Sequence, residues 1–231
     1  MILQNNFSKK VSSFPFSKPV LLLGLLGAFG TLLLIVRIIY SREFTFAFLV
    51  WNLFLAIIPY LIASALLMRY RGQKLTKGAY ALFALWLLFF PNAPYIITDF
   101  IHLRPRGIVP LWYDLLLISS FAWDGVIVGL ISLRIIHIFI KERGHELLAR
   151  CVVVAALGMG SFGIYIGRYL RWNSWDVLVH PQALFNDIIG RIVNPFQHPR
   201  TYTMTIVLWI FLFLLYVILK NANHEKWDHA N

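Results

Sequence analysis

Long apolar blocks separated by short polar segments dominate the pattern of this sequence. An α-helix rises about 1.5 Å per residue, so about 20 apolar residues are needed to cross the roughly 30 Å hydrocarbon core of a bilayer. Six blocks have this length: Pro19–Tyr40, Phe44–Met68, Gly78–Ile97, Leu111–Ile140, Leu148–Leu170 and Thr203–Leu219. Because backbone groups must be paired in lipid and no period-2 alternation is present, we predict an all-α, polytopic transmembrane helical bundle with six spans in one domain, 1–231.

The connection between the fifth and sixth spans contains a further helix-like segment. Pro181 is suited to open it, because proline fits the first position of a helix. Apolar residues recur along it at helical spacing: Leu184, Ile188, Ile189, Ile192 and Val193. The segment is too short and too polar to cross a bilayer. We therefore predict a short interfacial amphipathic helix over residues 181–194.

Composition and charge support a membrane protein. The chain is 59% hydrophobic and 13% charged, which excludes an ordinary soluble domain, and its 16% aromatic content excludes a disordered one. The net charge of +11 would suggest nucleic acid in a soluble protein, but here the basic residues flank the apolar blocks. With six spans, 13 of the 21 basic residues fall on the same side of the membrane as the N-terminus. We expect the lipid bilayer as partner, no nucleic acid, and both termini in the cytoplasm.

The third span contains a predicted break. Pro91 and Pro94 each lack an N–H, and each clashes with the carbonyl four residues back, which frees the carbonyls of Leu87 and Phe90. Such a break is tolerated in a membrane only where protein groups or a wet cavity satisfy the freed carbonyls. Either Asn92 seals a structural kink, or the break lines a ligand site.

The fourth span carries two carboxylates at different depths. Asp114 lies near its start, at the predicted membrane interface. Asp124 follows ten residues later and therefore lies about 15 Å deeper, where an ionised carboxylate is costly. It is either a functional group or a residue that holds helices together, for which Asn52 of the second span is the candidate partner.

The exit of the fifth span combines cations and indoles. Arg168 and Arg171 are three residues apart, so on a helix they would share a face, with Trp172 and Trp175 beside them. Two guanidinium groups so placed could clamp a phosphate or carboxylate. The alternative is simple anchoring at the interface by Arg and Trp.

Two carboxylate–histidine pairs could carry proton or metal chemistry. Asp99 and His102 are three apart, and Asp176 and His180 are four apart, so each pair would share a helical face. Oxygen plus imidazole ligands suit a divalent cation such as Zn²⁺ or Mn²⁺. The pattern is weakly specific, because such short pairs arise by chance and loop residues that face water need no explanation.

One apparent motif is rejected. The spacing of Gly158, Gly160 and Gly163 matches a dinucleotide-binding fingerprint, which requires a preceding strand and a βαβ unit. These glycines lie inside a predicted span instead. We interpret them as a small-residue stripe that lets another helix approach closely.

Several runs resemble a bacterial family of multi-pass membrane proteins known only as a domain of unknown function (DUF1361-like). The matching runs are Phe90–Tyr95, Thr98–His102, Trp112–Asp114, Phe121–Trp123 and Gly167–Asp176. The resemblance covers most of the chain from the second span onwards. It implies a bacterial plasma-membrane protein and no particular activity. Candidate ligand-binding residues at the matched positions are Arg168, Arg171, Asn92, Tyr95, Asp114, Trp172, Asn173 and Trp175.

The leading hypothesis is a polar pocket at the extracytoplasmic face, formed by the broken third helix, the start of the fourth and the exit of the fifth. The two arginines would bind an anionic lipid or envelope precursor, and Asp99, His102 or Asp176 would act in proton or metal chemistry if the protein is an enzyme. A small-solute transporter is an alternative, with a path along Asn92, Asp124 and Asn52. A non-catalytic assembly or accessory factor is a second alternative.

Overall fold

The structure is a computed structural model that describes residues 18–228, with side chains from 19 to 221. Its longer helices are α1 (Lys18–Ser41), α2 (Phe48–Tyr70), α3 (Lys77–Phe89), α4 (Leu111–Lys141), α5 (Glu146–Tyr165), α6 (Pro181–Val193) and α7 (Pro199–Asp228). Short helical segments follow α3 at Asn92–Tyr95 and Ile96–His102, follow α5 at Ile166–Leu170, and flank α6 at Asp176–Val179 and Pro195–Gln197. Lys9 and Lys10, which the orientation prediction counts, lie outside the described residues.

Six membrane-spanning helices are confirmed within the described residues. They are α1, α2, α4, α7, α3 with its continuation to His102, and α5 with its continuation to Leu170. The second span begins at Phe48 rather than Phe44, because a turn precedes it, and the third extends past the predicted end at Ile97. The helix expected over 181–194 is present as the thirteen-residue α6. The protein is therefore an all-helical, multi-pass membrane protein.

The centre of the bundle is α4. Its 31 residues extend about 46 Å, and it packs against α1, α2, α5 and the segment that follows α3. Two glycines make the last of these contacts close. A Cβ on Gly125 would lie 2.9 Å from the carbonyl oxygen of Ala93, and one on Gly129 would lie 2.7 Å from the Ala93 Cβ. The broken part of the third span thus packs directly on the backbone of the central helix.

The other side of the broken segment packs on the small-residue stripe of α5. A Cβ on Gly163 would lie 2.9 Å from Cγ of Pro91, and one on Gly160 would lie 3.0 Å from the ring of Phe90. The prediction that these glycines serve close helix packing is confirmed, although Gly158 faces α7 instead. The break is therefore packed between two helices, α4 and α5, each of which has glycines at the contact positions.

A buried ion pair joins α1 to α4. Nε of Arg37 donates to Oδ1 of Asp114 at 2.7 Å, and Nη2 donates to Oδ2 at 3.3 Å. Both side chains are fully buried, and the guanidinium lies 4.6 Å from the ring centre of Phe46. The hydroxyl of Tyr113 adds a bond to the carbonyl of Leu33 at 2.8 Å. Asp114 is thus part of a helix–helix contact and not of a ligand pocket, which corrects its predicted role.

We expect Arg37→Ala to lower the free energy of unfolding by about 3 kcal/mol or more, because it leaves the Asp114 carboxylate buried and unpaired. Denaturant titration of the protein in detergent micelles measures this. The double variant Arg37→Met/Asp114→Leu should recover most of the loss, since it removes both charges. The control is Arg104→Ala, at an exposed position, which should behave as the parent protein. A loss in the double variant as large as in Arg37→Ala would contradict this account.

Candidate functional site

A cavity of about 690 Å³ lies between α2, α3, α5 and α6. Most of its wall is apolar, with aliphatic and aromatic side chains from all four helices. Its polar lining residues are Asn52, Asn92, Tyr95, Trp172, Asn173 and Ser174. Five of these six are sequence-predicted site residues, and Ser174 is an addition. The cavity is thus where the broken third span and the exit of the fifth span meet.

The break in the third span forms one wall of this cavity. The α-helix ends at Phe89, and Nδ2 of Asn92 donates to the Phe89 carbonyl at 3.0 Å and to Oγ of Ser174 at 2.9 Å. Ser174 in turn donates to the carbonyl of Leu88 at 3.3 Å. Asn92 therefore seals the break, together with a residue from the loop after α5, and it also lines the cavity. These bonds agree with the interpretation of a kink sealed by Asn92, and a ligand site at the break stays a prediction.

The loop after α5 is closed by its own polar groups. Oδ2 of Asp176 accepts from the backbone N–H of Asn173 at 2.6 Å and from its Nδ2 at 3.3 Å. The indole N–H of Trp172 donates to Oδ2 of Asp187 in α6 at 2.7 Å. Asp176 is buried and does not line the cavity. Its carboxylate shapes the loop, and Trp172 ties that loop to the interfacial helix.

Behind the cavity, a buried ion pair joins the third and fifth spans. Oδ1 of Asp99 accepts from Nη2 of Arg168, and Oδ2 accepts from Nδ2 of Asn52 at 2.8 Å. The Asp99 side chain is 1% exposed and that of Arg168 is 12% exposed. Both carboxylate oxygens are therefore engaged, and the two charges compensate each other. Groups from three separate spans meet here at one end of the bundle.

The rest of the Arg168 guanidinium is also engaged. Nε and Nη2 donate to Oγ1 of Thr98 at 2.8 and 2.6 Å, and Nη1 lies 3.3 Å from Nε2 of His102. The guanidinium carbon lies 4.4 Å from the ring centre of Tyr95, a distance typical of a cation–π contact. Because Tyr95 lines the cavity and Arg168 does not, the ring separates the cation from the cavity. Thr98 is not among the sequence-predicted site residues, although it belongs to the matching run Thr98–His102.

The predicted arginine clamp does not form. Its spacing argument requires a helix through both residues, but the helical segment ends at Leu170 and Arg171 has a left-handed φ of 63°. Arg171 is exposed, whereas Arg168 points into the ion pair. Trp175 and His180 are exposed too, and neither lines the cavity. The two arginines therefore lie in different environments, one in the buried ion pair and one exposed.

The carboxylate–histidine pairs do not assemble a metal site within the described residues. No group of three or more His, Cys, Asp or Glu side chains lies close enough there to hold an ion. Asp99 and His102 both contact Arg168, whereas Asp176 is engaged by its own loop. Three of the four predicted metal ligands, Asp99, His102 and Asp176, are thus used for other contacts, and His180 is exposed.

Asp124 lies away from the cavity, in the contact between α4 and α1. It is buried, and a Cβ on Gly27 would lie 2.7 Å from its Oδ2. The predicted pairing of Asp124 with Asn52 is wrong, because the amide nitrogen of Asn52 binds Asp99. The spacing of residues along the helices does not show whether the Asn52 amide binds Asp99 or Asp124.

Comparison with known families gives one match. The model of the family described as "Protein of unknown function (DUF1361)" matches residues 51–217. Comparison with curated proteins and with solved structures gives no match. The matched range includes every residue of the cavity wall named above.

We expect Arg168→Lys to destabilise the protein by about 1–3 kcal/mol, because a single ammonium cannot reach Thr98, Asp99 and His102 together. The matched control is Arg171→Lys, three residues away and exposed, which should leave the free energy of unfolding unchanged. Denaturant titration in micelles compares the two. An equal loss in the free energy of unfolding in both variants would contradict this account and favour the arginine clamp predicted from the sequence.

Proposed function

Since this chain belongs to the DUF1361 family of proteins of unknown function, we propose a function from its cavity: the protein binds a lipid, with the lipid chain held between α2, α3, α5 and α6. The observation that carries the proposal is the combination of an apolar wall with a small group of polar side chains. Ligand sites in proteins have volumes of about 300–1,000 Å³ and this same composition. The 690 Å³ cavity is within that range.

The position of the cavity supports a ligand that arrives from the bilayer. Trp51 of α2 lines the cavity and is also about half exposed on a membrane-spanning helix. The opposite wall is α6, which places Leu184, Ile188 and Ile192 towards the cavity and has no buried residue of its own. A lipid could therefore reach the cavity without crossing water.

Binding explains the polar residues better than catalysis does. Asp99 and Arg168 neutralise each other behind the wall and hold the broken segment in place, so we assign them as positioning residues. The same segment presents Asn92 and Tyr95 to the cavity. The ion pair thus sets where the polar end of a lipid would lie.

We also propose that the cavity faces the extracytoplasmic side of a bacterial plasma membrane. On the six-span topology, 13 of the 21 basic residues fall on the same side of the membrane as the N-terminus, and the positive-inside rule therefore favours both termini in the cytoplasm. The loop after α5, which closes the cavity, is then on the opposite side.

The first test fills the cavity. Ile188→Trp introduces an indole into the cavity from α6, whereas Ile189→Trp places the same side chain on the exposed neighbour, outside the lining. We expect Ile188→Trp to reduce the amount of co-purified lipid at least about tenfold, since the two occupants compete for the same volume. Native mass spectrometry of the purified protein measures it. Equal occupancy in the two variants would exclude the cavity as the binding site.

The second test establishes orientation. In a Cys151→Ser background, Phe196→Cys lies in the exposed loop between α6 and α7, and Lys74→Cys lies between α2 and α3. A membrane-impermeant maleimide should label the first in intact cells and the second only after lysis. The reverse result would place the cavity on the cytoplasmic side.

A further inference from the structure

The cavity lining contains polar groups but no charged side chain among the described residues. We infer that the polar end of the bound lipid is neutral and carries hydroxyl groups, as in a diacylglycerol or a glycosylated diacylglycerol. This inference rests on the proposed function and specifies its ligand. It replaces the anionic head group that the sequence suggests, because the expected arginine clamp is absent from the cavity.

The first argument concerns the cations near the cavity. A phosphate held in an apolar site needs cations or several donors to offset the loss of hydration. The guanidinium of Arg168 lies behind the ring of Tyr95, and its charge is already balanced by Asp99. The guanidinium of Arg191 in α6 is likewise paired, with Asp187. An anionic head group would therefore find no free counter-charge among the residues that line the cavity.

The second argument concerns three hydrogen-bonding residues of the wall whose donor hydrogens are all used. The amide nitrogen of Asn92 donates to Phe89 and to Ser174, and the hydroxyl of Ser174 donates to Leu88. The indole N–H of Trp172 donates in the same way to Asp187 in α6. These groups have no hydrogen left for a phosphate oxygen.

What remains at the wall includes acceptor capacity. A carboxylate can only accept, so the bond to Asp99 fixes which end of the Asn52 amide is the nitrogen, and its oxygen is left over for a ligand. The oxygen of Asn92 is left over for the same reason. The hydroxyl of Tyr95 can donate or accept. Two amide oxygens and a phenol complement a head group that supplies its own O–H donors.

The test is a competition between lipids that share their acyl chains. The purified full-length protein in detergent is offered equal amounts of dioleoylglycerol, its monoglucosyl derivative and dioleoyl phosphatidate, and occupancy is read by native mass spectrometry. We expect each neutral lipid to exceed the phosphatidate by about tenfold or more. Phosphatidate bound as well as the neutral lipids, or better, would overturn the inference.

A conservative variant tests the head-group contact. Tyr95→Phe removes one hydroxyl from the cavity but keeps the ring that lies against Arg168. We expect the affinity for both neutral lipids to fall about 3- to 10-fold with no change for phosphatidate, as for the loss of one neutral hydrogen bond. Tyr80→Phe, on the exposed face of α3, is the matched control and should change nothing. Equal losses for all three lipids would show that the hydroxyl does not select the head group.

The cavity-filling variant separates the two levels of the proposal. If Ile188→Trp abolishes binding of all three lipids while phosphatidate competes equally in the parent protein, the cavity binds lipid but the head-group inference fails. If Ile188→Trp changes no binding, the lipids bind elsewhere and both proposals fail. If it abolishes binding and the neutral lipids are preferred, both stand.

Discussion

Hydrocarbon offers no hydrogen bonds, so each backbone group that two prolines release within the third span must find a partner in the protein. At the break the Phe90 carbonyl accepts from the backbone N–H of Ala93 at 3.2 Å. Asn92 and Ser174 bind the neighbouring carbonyls of Phe89 and Leu88, and Ser174 comes from a loop 82 residues further along the chain than Asn92. The seal therefore requires the exit of the fifth span to lie beside the break. The same requirement explains why four glycines on two helices contact this segment, since a side chain at any of these positions would hold it away.

Buried charges within the bundle must likewise be paired inside the protein. The two buried ion pairs, Arg37–Asp114 and Asp99–Arg168, each join helices that are distant in sequence, and each leaves the surrounding core neutral. Breaking one partner exposes the other to an apolar environment, which is why such pairs fix helix positions even where they add little net stability. The cavity lies beside the second pair, and its neutral wall is a consequence of that compensation.

The helical class, the six spans and α6 were predictable because apolar length and helical spacing act locally along the chain. The break at Pro91 and its partner Asn92 were predictable for the same reason. The partners of the buried carboxylates were not predictable from the sequence. Asp114 and Asp124 both follow an aromatic residue in the fourth span, yet Asp114 binds Arg37 of α1 and Asp124 lies against Gly27. Arg168 and Arg171 diverge because the helix changes its hydrogen-bond pattern between Ile166 and Leu170, which no side-chain spacing reveals.

Rigidity is unevenly distributed around the cavity. Three of its walls belong to the bundle and are fixed by glycine contacts and buried charge, whereas α6 has no buried residue. That fourth wall is attached through few bonds, among them Trp172 to Asp187 and the hydroxyl of Tyr202 to the carbonyl of Arg191. Elements with few buried contacts open at the lowest free energy. We therefore expect this amphipathic wall to separate from the bundle at a lower free energy than any of the six spans, whose packing would stay as it is.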